Sequence, residues 1–313
     1  MLQSVRKPAF LLSCLLCGCS LLQPAPQKPA EAQPAETTAP ALPKPPPPKI
    51  ALALGGGAVR GFAHVGVIKV LEAQGIVPEI VVGTSAGSLA GALYAGGYRD
   101  YELQKVAMRI NGDTFSDWIL PDRGFIKGEA LQNFVNEVLN NRPIEKLGKT
   151  FAVVATNLRS GQAVVFRTGN TGIAVRASSS IPGVFQPVNI NGIEYVDGAL
   201  VSPIPVKVAK NLGADIVIAV DVASKPKSTK VEDTIGILLQ TFNIMSESIG
   251  AYELVEADVV IRPNVVNIGP ADFDQKHVAI LEGEKAAMSS IAAIREKISQ
   301  YETRWLQKYE ETH

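Results

Sequence analysis

The chain has 313 residues, 46% of them hydrophobic, and its 30 Lys and Arg balance its 30 Asp and Glu. That length supports one large core, or at most two domains of roughly 100–200 residues each. Balanced charge creates no long-range field for a polyanion, which excludes basic-arm nucleic-acid binding and points to a neutral or zwitterionic partner.

Cys14, Cys17 and Cys19 all precede Ser20. The body of the protein therefore has no means of forming a disulfide or a thiolate metal site. Arg6 and Lys7 stand ahead of the apolar run AFLLSCLLCG, too short for a spanning helix of about 20 residues but suited to a signal-peptide core. The stretch LCGC, Leu16 to Cys19, resembles the bacterial lipoprotein box. That resemblance implies a signal peptide over residues 1–18, a lipidated Cys19 holding the chain to a membrane and, because Ser20 rather than Asp follows, sorting to the outer membrane facing the periplasm. The alternative is an ordinary signal peptide with incidental cysteines. Residues 19–49 are rich in Pro, Ala, Gln and Lys and end in PKPPPPK. Such a stretch predicts an extended tether reaching roughly 90 Å at about 3.1 Å per residue.

The folded part begins at IALALGGGAVRGFAHVGVIKVLEAQG, which reads as a buried strand over Ile50 to Leu54, a Gly loop, and a helix ending at Gly75. EIVVGTSAGSLAGALYAGG repeats the plan: a strand from Glu79 to Val82, a turn from Gly83 to Gly87, and a helix to Gly96. Two successive βα units predict an α/β class with a mainly parallel central sheet flanked by helices. Tyr98 to Glu145 reads as helical and irregular, with an apolar cluster of Phe115, Trp118, Ile119, Leu120, Phe125 and Ile126 suited to core or to an acyl-chain lining. FAVVATNL and QAVVFRTG predict strands, NINGIEYVDGAL one strand ending in a turn, and DIVIAVDV another buried strand. His277 to Glu311 predicts a long helix with Leu281, Met288, Ile291, Ile298, Tyr301 and Trp305 near one face. Its polar side lacks a Lys/Arg excess, which favours packing on the domain over lying on a membrane.

GTSAG fits a strand-to-helix nucleophile elbow in which Gly83 and Gly87 permit a sharp turn at Ser85. Ser85 would then sit at a helix N-terminus, where free N–H groups favour an anion. GGGAVRG, Gly55 to Gly61, fails the dinucleotide fingerprint and the P-loop pattern. It remains as a donor loop whose backbone N–H groups at Gly56, Gly57 and Ala58 can meet an oxyanion. Of the three histidines, His313 is terminal, His64 reads as a packed helix residue, and His277 reads as a surface or capping residue. A Ser85–Asp–His277 triad has the chain order of an α/β-hydrolase, but the elbow follows only the second strand. Asp197 in YVDGAL and Asp221 in DIVIAVDV are rival carboxylates that the residues alone do not separate.

GGGAVRG, GTSAG, RASSSIPGVFQPV (Arg176 to Val188) and DGA (Asp197 to Ala199), in this order, resemble the patatin-like phospholipases over about Ile50 to Gly213. The resemblance implies a Ser-Asp dyad of nucleophile Ser85 and base Asp197, an oxyanion hole at Gly56, Gly57 and Ala58, and supporting motif residues Gly55, Arg60, Gly61, Gly83, Gly87, Gly198 and Ala199. The implied substrate is a phospholipid or lysophospholipid, hydrolysed without cofactor or metal. Ala58 departs from the Gly common in the family, and alanine restricts φ. Arg60 matches a basic position that either steers a lipid phosphate or, as favoured here, fixes the loop. The implied organisation is a hydrolase domain over residues 50–213 and a C-terminal α/β extension over residues 214–313 packed on the same domain. A triad esterase and a tethered lipid-binding lipoprotein without catalysis are the alternatives.

Overall fold

The computed structural model describes residues 43–115, 117, 124–223 and 231–312. The leader with its cysteines, most of the tether, Trp118, Ile119, Leu120 and His313 lie outside the described residues. The chain divides at Pro43, and every named strand and helix belongs to the unit Lys44–His313.

Five strands form a parallel array because their residues are apolar on both faces. In spatial order they are β3 (Thr150–Asn157), β2 (Ile80–Thr84), β1 (Ile50–Leu54), β7 (Ile216–Val220) and β8 (Val259–Ile261). Along β1, Ile50, Leu52 and Leu54 enter one core while Ala51 and Ala53 enter the other. The larger core is covered by α1 (Ala63–Ala73), α2 (Ala86–Ala95) and α8 (Lys276–Thr312). Residues of α6 (Val206–Asn211) join the second core on the opposite face. This is the α/β three-layer class expected, with helices α3 (Asp100–Arg109), α4 (Glu129–Val138) and α5 (Thr171–Ser178) completing the first side.

β3 is also the seam to an antiparallel part. It pairs antiparallel with β4 (Ala163–Phe166) and with β6 (Ile193–Asp197), and β6 pairs with β5 (Val188–Ile190). NINGIEYVDGAL is thus a hairpin, not one strand. Asn191 and Gly192 take positive φ of 54° and 83°, as the two-residue turn of a twisted hairpin requires.

The C-terminal helix keeps Ile291, Ile298 and Tyr301 of its expected face against the core and departs from it elsewhere. Leu281 and Met288 are about half exposed, and the buried row is Ala279, Ile280, Gly283, Ala287, Ile291 and Ile294. Close approach to α1 explains the difference. A Cβ at Gly66 would stand 2.0 Å from the Ile280 carbonyl oxygen, and one at Gly283 would stand 2.0 Å from that of Ala63. Small residues rather than large ones therefore mark the contact. The 21-residue helix α7 (Thr234–Leu254) has no counterpart among the elements expected from the sequence, and Gly250 sets it against Pro203 and Ile204.

Candidate active site

The sheet itself brings the two proposed dyad residues together. Parallel pairing sets Thr84, the last residue of β2, opposite Val154 of β3. Antiparallel pairing sets Asp197, the last residue of β6, opposite Ala155. Two strands of opposite direction therefore end at neighbouring rungs of β3. A Cβ on Gly198 would lie 2.2 Å from the Val154 carbonyl oxygen and 3.1 Å from the Thr84 side chain. Only glycine fits that junction.

Ser85 caps α2 at φ 53° and ψ −124°. Such an angle at a non-glycine residue stores roughly 1–3 kcal/mol of strain. The flanking glycines serve a different purpose from the one expected. They keep ordinary φ, and their bareness permits contact: a Cβ at Gly87 would stand 2.1 Å from the Leu54 carbonyl oxygen, and one at Gly83 would stand 2.4 Å from that of Gly87. The strain sits on the serine itself.

Ser85 Oγ donates to Asp197 Oδ2 at 2.7 Å, and both side chains are buried. The other carboxylate oxygen accepts the Ala199 N–H at 2.8 Å. Burial pushes the Asp197 carboxyl up to about 7, against the opposing pull of the hydrogen bonds from Ala199 and Ser85. A carboxylate of ordinary pKa is a weak base for a hydroxyl, and desolvation moves this one toward neutral pH.

Two residues of RASSSIPGVFQPV position the pair, and the sequence pattern alone does not single them out. Ser178 Oγ accepts the Ser85 N–H at 2.8 Å, and the Ser180 carbonyl accepts the Asp197 N–H at 2.9 Å. The one signal in the sequence is a run of three serines at a helix end.

The Gly loop faces the elbow. A Cβ at Gly56 would lie 3.3 Å from that of Ser85. Its amides are not equivalent, however. Gly56 N–H is already committed to the Pro203 carbonyl at 3.0 Å, as Gly55 N–H is to that of Val220 at 3.1 Å. Gly56, expected as an oxyanion donor, therefore has its N–H engaged and acts as a spacer against Ser85. The Gly57 and Ala58 N–H groups have no such acceptor among the described residues. Ala58 reaches its place at φ 50°, so alanine tolerates the left-handed region at some cost rather than closing it. A Cβ at Gly61 would meet that of Ala86 at 2.5 Å.

Arg60 is 5% exposed and donates to the Ile268 carbonyl at 3.1 Å, which ties the loop to the C-terminal region. His64 is fully buried, and its Nε2–H donates to the Gly55 carbonyl at 2.8 Å. Burial holds the ring down at about 4 and hence neutral. It clamps the loop and does not touch Ser85. Asp221 accepts from the Ala223 N–H and pairs with Arg262, so the rival carboxylate is occupied elsewhere. His277 lies on α8, and among the described residues the Ser85 Oγ hydrogen bond goes to Asp197 instead.

A cavity of about 300 Å³ opens beside Ser85, bounded by Ala58, Phe62, Leu89, Leu93, Ile126, Ile181, Phe185 and Leu239 among others. Among the described residues, Ser85 and Ser179 are the polar side chains in its wall. Ile126 belongs to the apolar cluster expected as core or lining, and it does line this space.

The family model described as patatin-like phospholipase matches residues 52–210. An uncharacterized NTE family protein of Mycobacterium tuberculosis is 34% identical over 176 residues, 55% of this chain and 49% of that protein. Lysophospholipase NTE1 of Kluyveromyces lactis is 30% identical over 280 residues, 84% of this chain and 18% of its own length. The crystal structure of VipD from Legionella pneumophila aligns over 79% of this chain and 67% of that one at TM-score 0.43 and 15% identity, too slight a likeness to argue from. The chain spans about half the length of the mycobacterial relative and under a fifth of the yeast one. With the family model covering half the chain, and its motifs meeting around Ser85, the chain belongs to the patatin-like phospholipase family.

Proposed function

We propose that this protein is a serine acyl hydrolase that cleaves fatty-acyl esters of phospholipids or lysophospholipids with Ser85 as nucleophile and Asp197 as base. The observation that carries the reading is the buried 2.7 Å hydrogen bond from Ser85 Oγ to Asp197 at the edge of an apolar cavity. As Ser85 Oγ attacks the ester carbon, its proton passes to Asp197 Oδ2. The resulting oxyanion is held by the Gly57 and Ala58 N–H groups and the N-terminus of α2. Collapse breaks the ester bond, and Asp197 returns the proton to the leaving alcohol. Asp197 then takes a proton from water as that water attacks acyl-Ser85, and collapse of this second intermediate returns the proton to Ser85 Oγ and releases the fatty acid. The kinship with a yeast lysophospholipase supports the lipid class of substrate. Lipidation at Cys19 and a place in a bacterial outer membrane, facing the periplasm, are part of the same proposal and rest on LCGC and Ser20.

The test is labelling with a fluorophosphonate, mapped by mass spectrometry. Label is expected on Ser85 in the wild type and in His277→Ala, and is expected to be lost in Asp197→Ala. Failure of the folded wild type to label, or loss of label in His277→Ala, overturns the proposal.

A further inference from the structure

α7 is amphipathic in the inverted sense. Toward the body it turns small and polar groups: Ser246 Oγ donates to the Ala199 carbonyl at 3.1 Å, Gly250 faces Pro203 and Ile204, and Glu253 accepts the Ile204 N–H at 2.8 Å. Toward solvent it turns Ile237, Leu238, Ile244, Met245 and Tyr252, which are 46–80% exposed. These positions recur at helical spacing and share one face. The two hydroxyls on that face are withdrawn from water, because Thr241 Oγ1 donates to the Ile237 carbonyl and Ser248 Oγ to that of Ile244. Such back-bonding satisfies a hydroxyl without an external partner. Glu247 is the one charged residue between Ile237 and Tyr252, and it lies off this row and half-buried.

The same helix leads to the cavity. Leu239, beside the stripe, lines the space next to Ser85, and Leu238 lies 3.7 Å from the position of a Cβ on Gly183, in the loop that supplies Ile181 and Phe185 to the same wall. We infer that the exposed face of α7 is a membrane-docking surface that settles into the outer layer of a lipid bilayer and sets the cavity mouth against it. The inference rests on reading that cavity as an acyl-chain site. An uncharged stripe whose Thr241 and Ser248 hydroxyls are satisfied within the helix suits hydrocarbon, with the Tyr252 phenol at its end suited to the polar headgroup level, and it offers a protein partner no ion pair. No helix among the described residues is long and apolar enough to cross a bilayer, so contact by one face is the mode that α7 permits.

The experiment uses the full chain carrying Cys19→Ser, so that lipidation is absent, with or without the combined changes Ile237→Ser, Ile244→Ser, Met245→Ser and Tyr252→Ser. Cosedimentation with phosphatidylcholine and phosphatidylethanolamine vesicles is expected to weaken about tenfold or more in the substituted chain. Vesicles are expected to slow amide exchange across residues 234–254 of the unsubstituted chain. Hydrolysis of vesicle lipid should fall with binding, while hydrolysis of a soluble short-chain ester should stay unchanged. Equal vesicle binding, unprotected amides, or a dimer that dissociates on substitution overturns the inference, the last in favour of a second copy. If neither ester is hydrolysed yet binding responds, the hydrolase proposal fails and the docking face stands.

Discussion

In the proposed mechanism Asp197 has to be buried to be a useful base and ionised to act, and the two demands meet near neutral pH. With its carboxyl raised to about 7, activity is expected to climb as pH rises through that value. Stability runs the other way. A carboxyl with a raised folded pKa holds its proton in the folded state when the unfolded chain has released it, so its contribution is complete below about pH 4 and is lost as pH rises through about 7. Glu253, also raised to about 7 by burial, has the same sign. Asp197→Asn is therefore expected to lose about 10³-fold or more in turnover, yet to lose less Tm than wild type between about pH 5 and about pH 8. Calorimetry at the two pH values beside a rate profile checks this, and a flat profile across neutrality removes the raised carboxyl from the mechanism. Ala58 supplies a second residue-scale outcome. Because it sits at φ 50°, Ala58→Gly should keep activity, whereas Ala58→Val should cost about 1–2 kcal/mol of stability and at least tenfold in rate. Denaturant titration and labelling rates read both.

Among the elements, the loop joining α5 to β5 has the least obvious role, since it holds both members of the pair without contributing to the chemistry. Ser178, at the end of α5 where that loop begins, gives the strained Ser85 N–H its acceptor. Ser178→Ala leaves a buried donor unpaired, and about 1–3 kcal/mol of stability should be lost. The elbow should then relax enough to slow fluorophosphonate labelling about tenfold, while Ser178→Thr restores the acceptor and the rate. Equal labelling in all three forms would show that the elbow holds its shape without help. The elements also show where local patterns mislead. Asn191-Gly192 is a hairpin signal inside an apparently single strand. The face of α8 is hard to read because its contact with α1 uses glycine and alanine, which carry little hydrophobic signal. α7 is obscure for a related reason: serine, glycine and glutamate make much of its contact with the body.

For the molecule as a whole, the proposal combines a tether, a docking helix and a buried dyad. Cys19→Ser is expected to abolish incorporation of labelled fatty acid in a bacterial host while leaving fluorophosphonate labelling at Ser85 intact. Fatty-acid label in that variant would refute Cys19 as the acceptor.

The α/β class, the family and the elbow at Ser85 were legible in the sequence, because both-face burial writes continuous apolar strands and because backbone turns admit few residue types. The sequence alone could not choose Asp197 over Asp221 without the family's motif. The register of β3 sets Asp197 one rung from Thr84, while Asp221 is held by Arg262 and the Ala223 amide. Only the tertiary structure could reveal that Gly56 spends its N–H on Pro203, that Ser85 rather than its glycines carries the strain, and that α7 turns its apolar side outward. These depend on partners distant along the chain. Local pattern determines what a segment can become, and the segments that pack against it decide which of its groups remain free to act.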